Sequence, residues 1–137
     1  MRSISFHSIK SPLPAWRRAF CLGLLILAGL CATAQAKIRF KSTKQSFGFV
    51  KKGEVVKVNF VFSNTGTEDL EILDAKAECS CTTVDFPKYM IRPNQTDTIT
   101  VYFDTKSVYD RQDRIVEVIS NASNARQNIR FKGVVLK

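Results

Sequence analysis

From Val55 to Ser63 the chain alternates, with Val56, Val58, Phe60 and Phe62 on one side and Lys57, Asn59 and Ser63 on the other. A two-residue period of β-branched and aromatic residues belongs to a strand with one face in a core and the other in water. The rhythm returns in Ile99, Val101 and Phe103, set against Thr98, Thr100 and Tyr102. It returns again in Ile129, Phe131, Gly133 and Val135, set against Asn128, Arg130 and Lys132. Ile115 to Ile119 is β-rich on both faces, and Val116 and Val118 are its expected inward pair. Leu70 and Ile72 give way to Leu73, Ala75, Ala77, Cys79 and Cys81, a change of phase that a β-bulge produces. Phe47 to Gly53 reads as a short extended piece, and Asp104 to Asp113 as a polar loop. Turn chemistry separates these runs at Asn64 to Thr67, Arg92 to Gln95 and Asn121 to Asn124, with Gly66 free to take positive φ. No segment of this region carries a helical period. The pattern predicts an all-β fold, a sandwich of six or seven short strands spaced at about 10 to 15 residues.

The first 36 residues differ in kind. Arg17 and Arg18 precede an uncharged run from Ala19 to Ala34, followed by Ala34-Gln35-Ala36. A basic start, a short apolar run and a small-x-small exit are the parts of a secretory signal peptide. The run is shorter than the ~20 residues a membrane-spanning helix needs. The expected division is therefore residues 1–36 as signal peptide and 37–137 as one domain, exported to the periplasm or beyond. No transmembrane segment is expected after cleavage. Of the 21 basic groups four fall in the first segment, together with His7, which is the chain's one histidine. The remaining 101 residues carry 17 basic and 12 acidic groups and no histidine.

That composition excludes much chemistry. Without histidine, Ser-His-Asp and Cys-His catalysis cannot be assembled and imidazole metal sites are lost. No phosphate-binding or dinucleotide glycine motif occurs. Glu68, Asp69, Asp110 and Asp113 fall beside turns or on outward strand positions, where solvated charge explains them. The domain is expected to be no enzyme and to need no cofactor. Lys37, Arg39, Lys41, Lys44, Lys51 and Lys52 place six cations at its start with no acid among them. They are read first as a solvated, frayed N-terminal arm, and alternatively as a patch that attracts anionic glycans, lipid headgroups or acidic proteins. Nucleic acid is not an expected partner for an exported chain.

Cys79 and Cys81 are the remaining unusual feature and the candidate redox or thiol site. Residues i and i+2 of a regular strand lie roughly 6.6 Å apart at Cα and share a face. A disulfide needs Cβ atoms about 3.5–4.5 Å apart, so either the backbone bends here or the thiols stay free. Three readings follow: small apolar fillers or a local disulfide, a redox pair, or a soft-metal pair for Cu(I). Glu78 opposes the redox reading by disfavouring a neighbouring thiolate.

Several pieces occur in a fixed order: Phe47-Gly48, Gly53-Glu54, Phe60 to Gly66, Leu70-Glu71-Ile72, Cys79-Ser80-Cys81-Thr82, Ile91-Arg92-Pro93, Val101 to Thr105 and Ser120-Asn121. Together they resemble the bacterial family known as domain of unknown function 1573, across about Phe47 to Val135. The resemblance implies an immunoglobulin-like antiparallel β-sandwich of about seven strands, related in fold to Hydin and major sperm protein domains. It implies no activity. Ser80 and Asn94 stand where that family usually has glycine; Asn94 tolerates the left-handed conformation, whereas Ser80 puts a tight turn between the cysteines in question.

The functional expectation is an exported, non-catalytic interaction or structural module of the cell envelope, binding another envelope or secreted protein. Its expected lip is Lys37 to Val50, or the closing strand Asn128 to Val135, because open sandwiches have strand edges that accept an added strand. The alternative is a thiol-redox or copper-handling protein using Cys79 and Cys81.

Overall fold

The computed structural model describes residues 34–137, and the proposed signal peptide, with Cys21 and Cys31, lies outside them except for Ala34 to Ala36. Eight strands follow one another: β1 (Ile38–Phe40), β2 (Lys44–Lys51), β3 (Val55–Asn64), β4 (Ile72–Ala77), β5 (Thr82–Asp85), β6 (Thr96–Asp104), β7 (Asp110–Ser120) and β8 (Arg126–Leu136). They form two four-stranded sheets, ordered β1-β3-β6-β5 and β2-β8-β7-β4.

Pairing is antiparallel with one exception. β2 runs parallel to β8 from Lys44–Arg130 to Lys51–Leu136, so one sheet is mixed rather than antiparallel. Alternation cannot reveal this, because strand direction leaves the inward-outward pattern unchanged. The register of β2 shifts between Ser46 and Gly48, and Gly48 has φ 72°. Opposite the shift stands Gly133, where a side chain would run into the ring of Phe47 and come within 2.7 Å of the Gly48 carbonyl oxygen.

The inward faces are those the alternation predicts. Phe60, Phe62, Ile99, Val101 and Phe103 from one sheet meet Val116, Val118, Ile129, Phe131 and Val135 from the other, all essentially inaccessible to water. At the centre Phe103 and Phe131 pack edge to face at 5.4 Å, with Phe47 at 5.8 Å from the first and 6.3 Å from the second. Such aromatic contacts add roughly 0.5–1.5 kcal/mol beyond the burial itself.

Two local expectations change. The expected loop Asp104 to Asp113 ends early, because Asp110 to Asp113 already pair with Val135 to Lys132 in β7. Backbone pairing at that end needs no apolar side chain. The phase change after Leu70 is real, with the register of β4 shifting between Ile72 and Asp74. However, it leaves Leu73 in solvent, 55% exposed, instead of turning it inward. Gly66, free to take positive φ, does not; the positive-φ glycines among the described residues are Gly48 and Gly53. Its lack of a side chain serves space, since a Cβ would meet the Gln35 carbonyl oxygen and lie 2.7 Å from the Ala36 carbonyl carbon.

Candidate functional site

The chain crosses from one sheet to the other between β4 and β5, and the two cysteines sit in that crossing. Cys79 and Cys81 are joined by a disulfide with their Cα atoms 5.3 Å apart, closer than a regular strand allows. The bend is held by the backbone. Thr82 N donates to Cys79 O at 3.2 Å, and Asp104 N donates to Cys81 O at 2.8 Å, tying the bend to β6. Ser80 achieves it without glycine: Asn94 and Asp110 are the non-glycine residues with positive φ among those described. Both cysteines are half-buried, Cys81 against the core, with the Thr82 hydroxyl 3.6 and 3.9 Å from the two sulfurs. Glu78 accepts from Ile115 N at 3.4 Å.

With both sulfurs in one bond, neither is the thiolate that Cu(I) binding requires, and disulfide exchange here would need an attacking thiolate from another molecule. Among the described residues no group of three or more His, Cys, Asp or Glu side chains is placed to hold a metal ion. No helix among them is long and apolar enough to cross a membrane.

The sheet margins differ from expectation in an informative way. The closing strand Asn128 to Val135 is no lip, because β8 is covered by β2 on one side and β7 on the other. The segment Lys37 to Val50 does lie on margins, but it divides between two of them. β1 pairs with β3 at Ile38–Asn64, Arg39–Ser63 and Phe40–Phe62, and the last contact is Lys41 N to Val61 O at 2.9 Å. The chain then leaves for the other sheet as β2. In an antiparallel strand, N–H and C=O groups of alternate residues point to the same side. Val55, Lys57 and Asn59 therefore direct their backbone groups the same way as Val61, where no strand pairs with them among the described residues. The open stretch carries exposed Lys57, whose ammonium lies 5.9 Å from the Tyr102 ring, and Asn59, which accepts from the Thr100 hydroxyl at 3.1 Å.

On the outer face of the other sheet Asp113 forms a two-pronged ion pair with Arg130. Hydrogen bonding from that guanidinium holds the Asp113 carboxyl below its ordinary range and raises Arg130 in turn.

Sequence reasoning located the cysteines and the N-terminal margin but missed two buried polar residues that hold the margins in place. Asn64 is fully buried; its amide donates to Glu68 O (2.7 Å) and Ile91 O (2.9 Å), and its oxygen accepts from Gly66 N (3.0 Å) and Lys37 N (3.3 Å). Thr105, also buried, accepts from Gly53 N at 2.9 Å and donates to Glu54 O at 2.7 Å, fixing the turn from β2 to β3. The Asn-x-Gly of the turn was the available signal for Asn64; Thr105 had none.

Comparison with known proteins bears on the fold. No curated protein matches the chain. A protein of unknown function from Porphyromonas gingivalis W83 is similar over 78% of this chain and 50% of its own, at 17% identity and a TM-score of 0.67. The ASH / PapD-like domain 7 of human CEP192 is similar at 10% identity and a TM-score of 0.59, covering 100% of this chain and 98% of that one. The VesB protease of Vibrio cholerae is similar at 14% identity and a TM-score of 0.54, over 77% of this chain and 32% of its own. This chain thus spans half of the first structure and about a third of the last. The likeness is one of architecture, an immunoglobulin-like sandwich. Residues 38–135 match the family described as protein of unknown function (DUF1573), and the chain belongs to that family.

Proposed function

We propose that the chain is an exported, non-catalytic module of the cell envelope that holds another envelope or secreted protein by accepting a strand along β3. The unpaired margin from Val55 to Asn59 is the observation that carries this reading. A strand added there would continue β1 along the same sheet and satisfy backbone groups that otherwise face water. Lys57 within the margin and Lys41 just after β1, both exposed, favour an acidic strand from the partner. Export rests on Arg17, Arg18 and the apolar run that follows them.

Substituting Lys57→Pro tests the reading. Its N–H faces the open side, so proline removes a donor there without breaking the pairing with β6. Wild-type protein should capture a saturable partner from envelope extracts, and the variant should lose that partner while keeping its sheet circular-dichroism spectrum. Equal capture by the two proteins, or no saturable capture by the wild type, refutes strand addition at β3.

A further inference from the structure

Two positions in the sequence satisfy the small-x-small rule for leader removal. Ala34-Gln35-Ala36 directs cleavage after Ala36, and Ala32-Thr33-Ala34 directs it after Ala34. The two differ by Gln35 and Ala36, and the folded domain uses both. Ala36 is 4% exposed and belongs to the core. Its carbonyl accepts from Ser123 N at 2.9 Å. Gln35 exchanges bonds with Thr67: Gln35 N donates to the Thr67 hydroxyl at 3.2 Å, and Thr67 N donates to Gln35 O at 2.9 Å. Gly66 lacks the Cβ that would collide with this pair of residues. Cleavage after Ala36 would strip Ser123 N and Thr67 N of their acceptors and open the space above Gly66. Cleavage after Ala34 keeps every one of these contacts.

Charge points the same way. Gln35 lies in a surface recess lined also by Glu68 and Asp69. A chain beginning at Gln35 places its new α-ammonium in the recess that Glu68 and Asp69 help to line. One beginning at Lys37 leaves that recess without its cation.

We infer that the leader is removed at the Ala34–Gln35 peptide bond, with Gln35 as the docked N-terminus of the mature domain. The step is hydrolysis by a membrane-bound leader peptidase. Water adds across the amide, leaving a carboxylate on Ala34 and an amine on Gln35. The inference rests on the export reading above, and the test separates the two.

The full chain is expressed in a bacterial host with a periplasm, and the intact mass of the periplasmic product is measured. A product beginning at Gln35 is the expected result. A product beginning at Lys37, or an uncleaved chain in the periplasm, overturns the cleavage position and leaves export standing; a chain retained in the cytoplasm overturns both. Ala32→Asp provides a second check, because it places a charge three residues before the inferred bond and leaves Ala34-Gln35-Ala36 intact. Pulse-chase should show slower maturation, with residual product beginning at Lys37. Maturation at the wild-type rate in this variant overturns the inference.

Discussion

The side-chain amide of Asn64, at the end of β3, donates to the carbonyl oxygen of Ile91, 27 residues further along the chain, at 2.9 Å. Ile91 in turn exchanges two backbone bonds with Leu70, at 2.8 and 2.9 Å. One buried amide thus fastens the turn after β3 to the segment that leads into β6. Replacing it by Asn64→Ala removes the partner of the Glu68 carbonyl and of the Gly66 and Lys37 N–H groups, and leaves the Ile91 carbonyl with Leu70 N alone. With a buried unsatisfied group costing about 1–3 kcal/mol, the variant should lose at least about 2 kcal/mol in urea unfolding. A loss below about 0.5 kcal/mol would show that water replaces the amide.

Phe60 is the centre of the face that the alternation of β3 predicts, and it is fully buried. Phe60→Ala should cost about 3–5 kcal/mol, read as a shift of the denaturant midpoint at unchanged slope. Lys57→Ala on the opposite face should stay within about 0.5 kcal/mol. Similar losses at the two positions would contradict the inward assignment.

The disulfide closes a very short loop, and by loop-closure entropy such a link contributes only about 1.5 kcal/mol. The double variant Cys79→Ser, Cys81→Ser should therefore fold, with a loss of that order. Wild-type protein under strong reductant should match it. Failure of either to fold would mean that the bend between β4 and β5 depends on the covalent link and not on Thr82 and Asp104.

Asp113 has a pH signature. The Arg130 guanidinium holds its carboxyl below the ordinary range in the folded state. The pair's contribution is therefore complete above the unfolded value, about pH 4, and drains away as pH falls through the lower folded value. Melting curves at low salt should show wild type losing more than Asp113→Asn on acidification below about pH 4, with the gap closing toward the acid end. Parallel curves for the two proteins would exclude the effect.

The core faces of β3, β6 and β8 were legible because each strand obeys one rule, apolar residues at every second position; β7 is apolar on both faces, and only its Val116 and Val118 pair was assigned inward. The parallel partner of β8 was not, since β2 reads identically in either direction. Leu73 was misassigned for a related reason: alternation reports that a bulge exists but not which residue it ejects. Gly133 looked like an ordinary inward position, and its reason appears only when Phe47 crosses it. Thr105 was invisible because its partners, Gly53 and Glu54, lie some fifty residues away. For the candidate site, the sequence named the cysteines and the N-terminal margin. Their oxidation state and the open length of β3 depend on how the backbone bends and where β1 departs, which no side-chain pattern encodes.

The parallel alignment of β2 with β8 has a mechanical meaning. Tension entering through the chain before β2 and leaving through the chain after β8 pulls the two strands in opposite directions along their common axis. The rungs from Lys44–Arg130 to Lys51–Leu136 then bear load together in shear, where a hairpin pulled at its open end would unzip rung by rung. Along their common axis, then, β2 and β8 resist separation more strongly than they would if peeled apart across it.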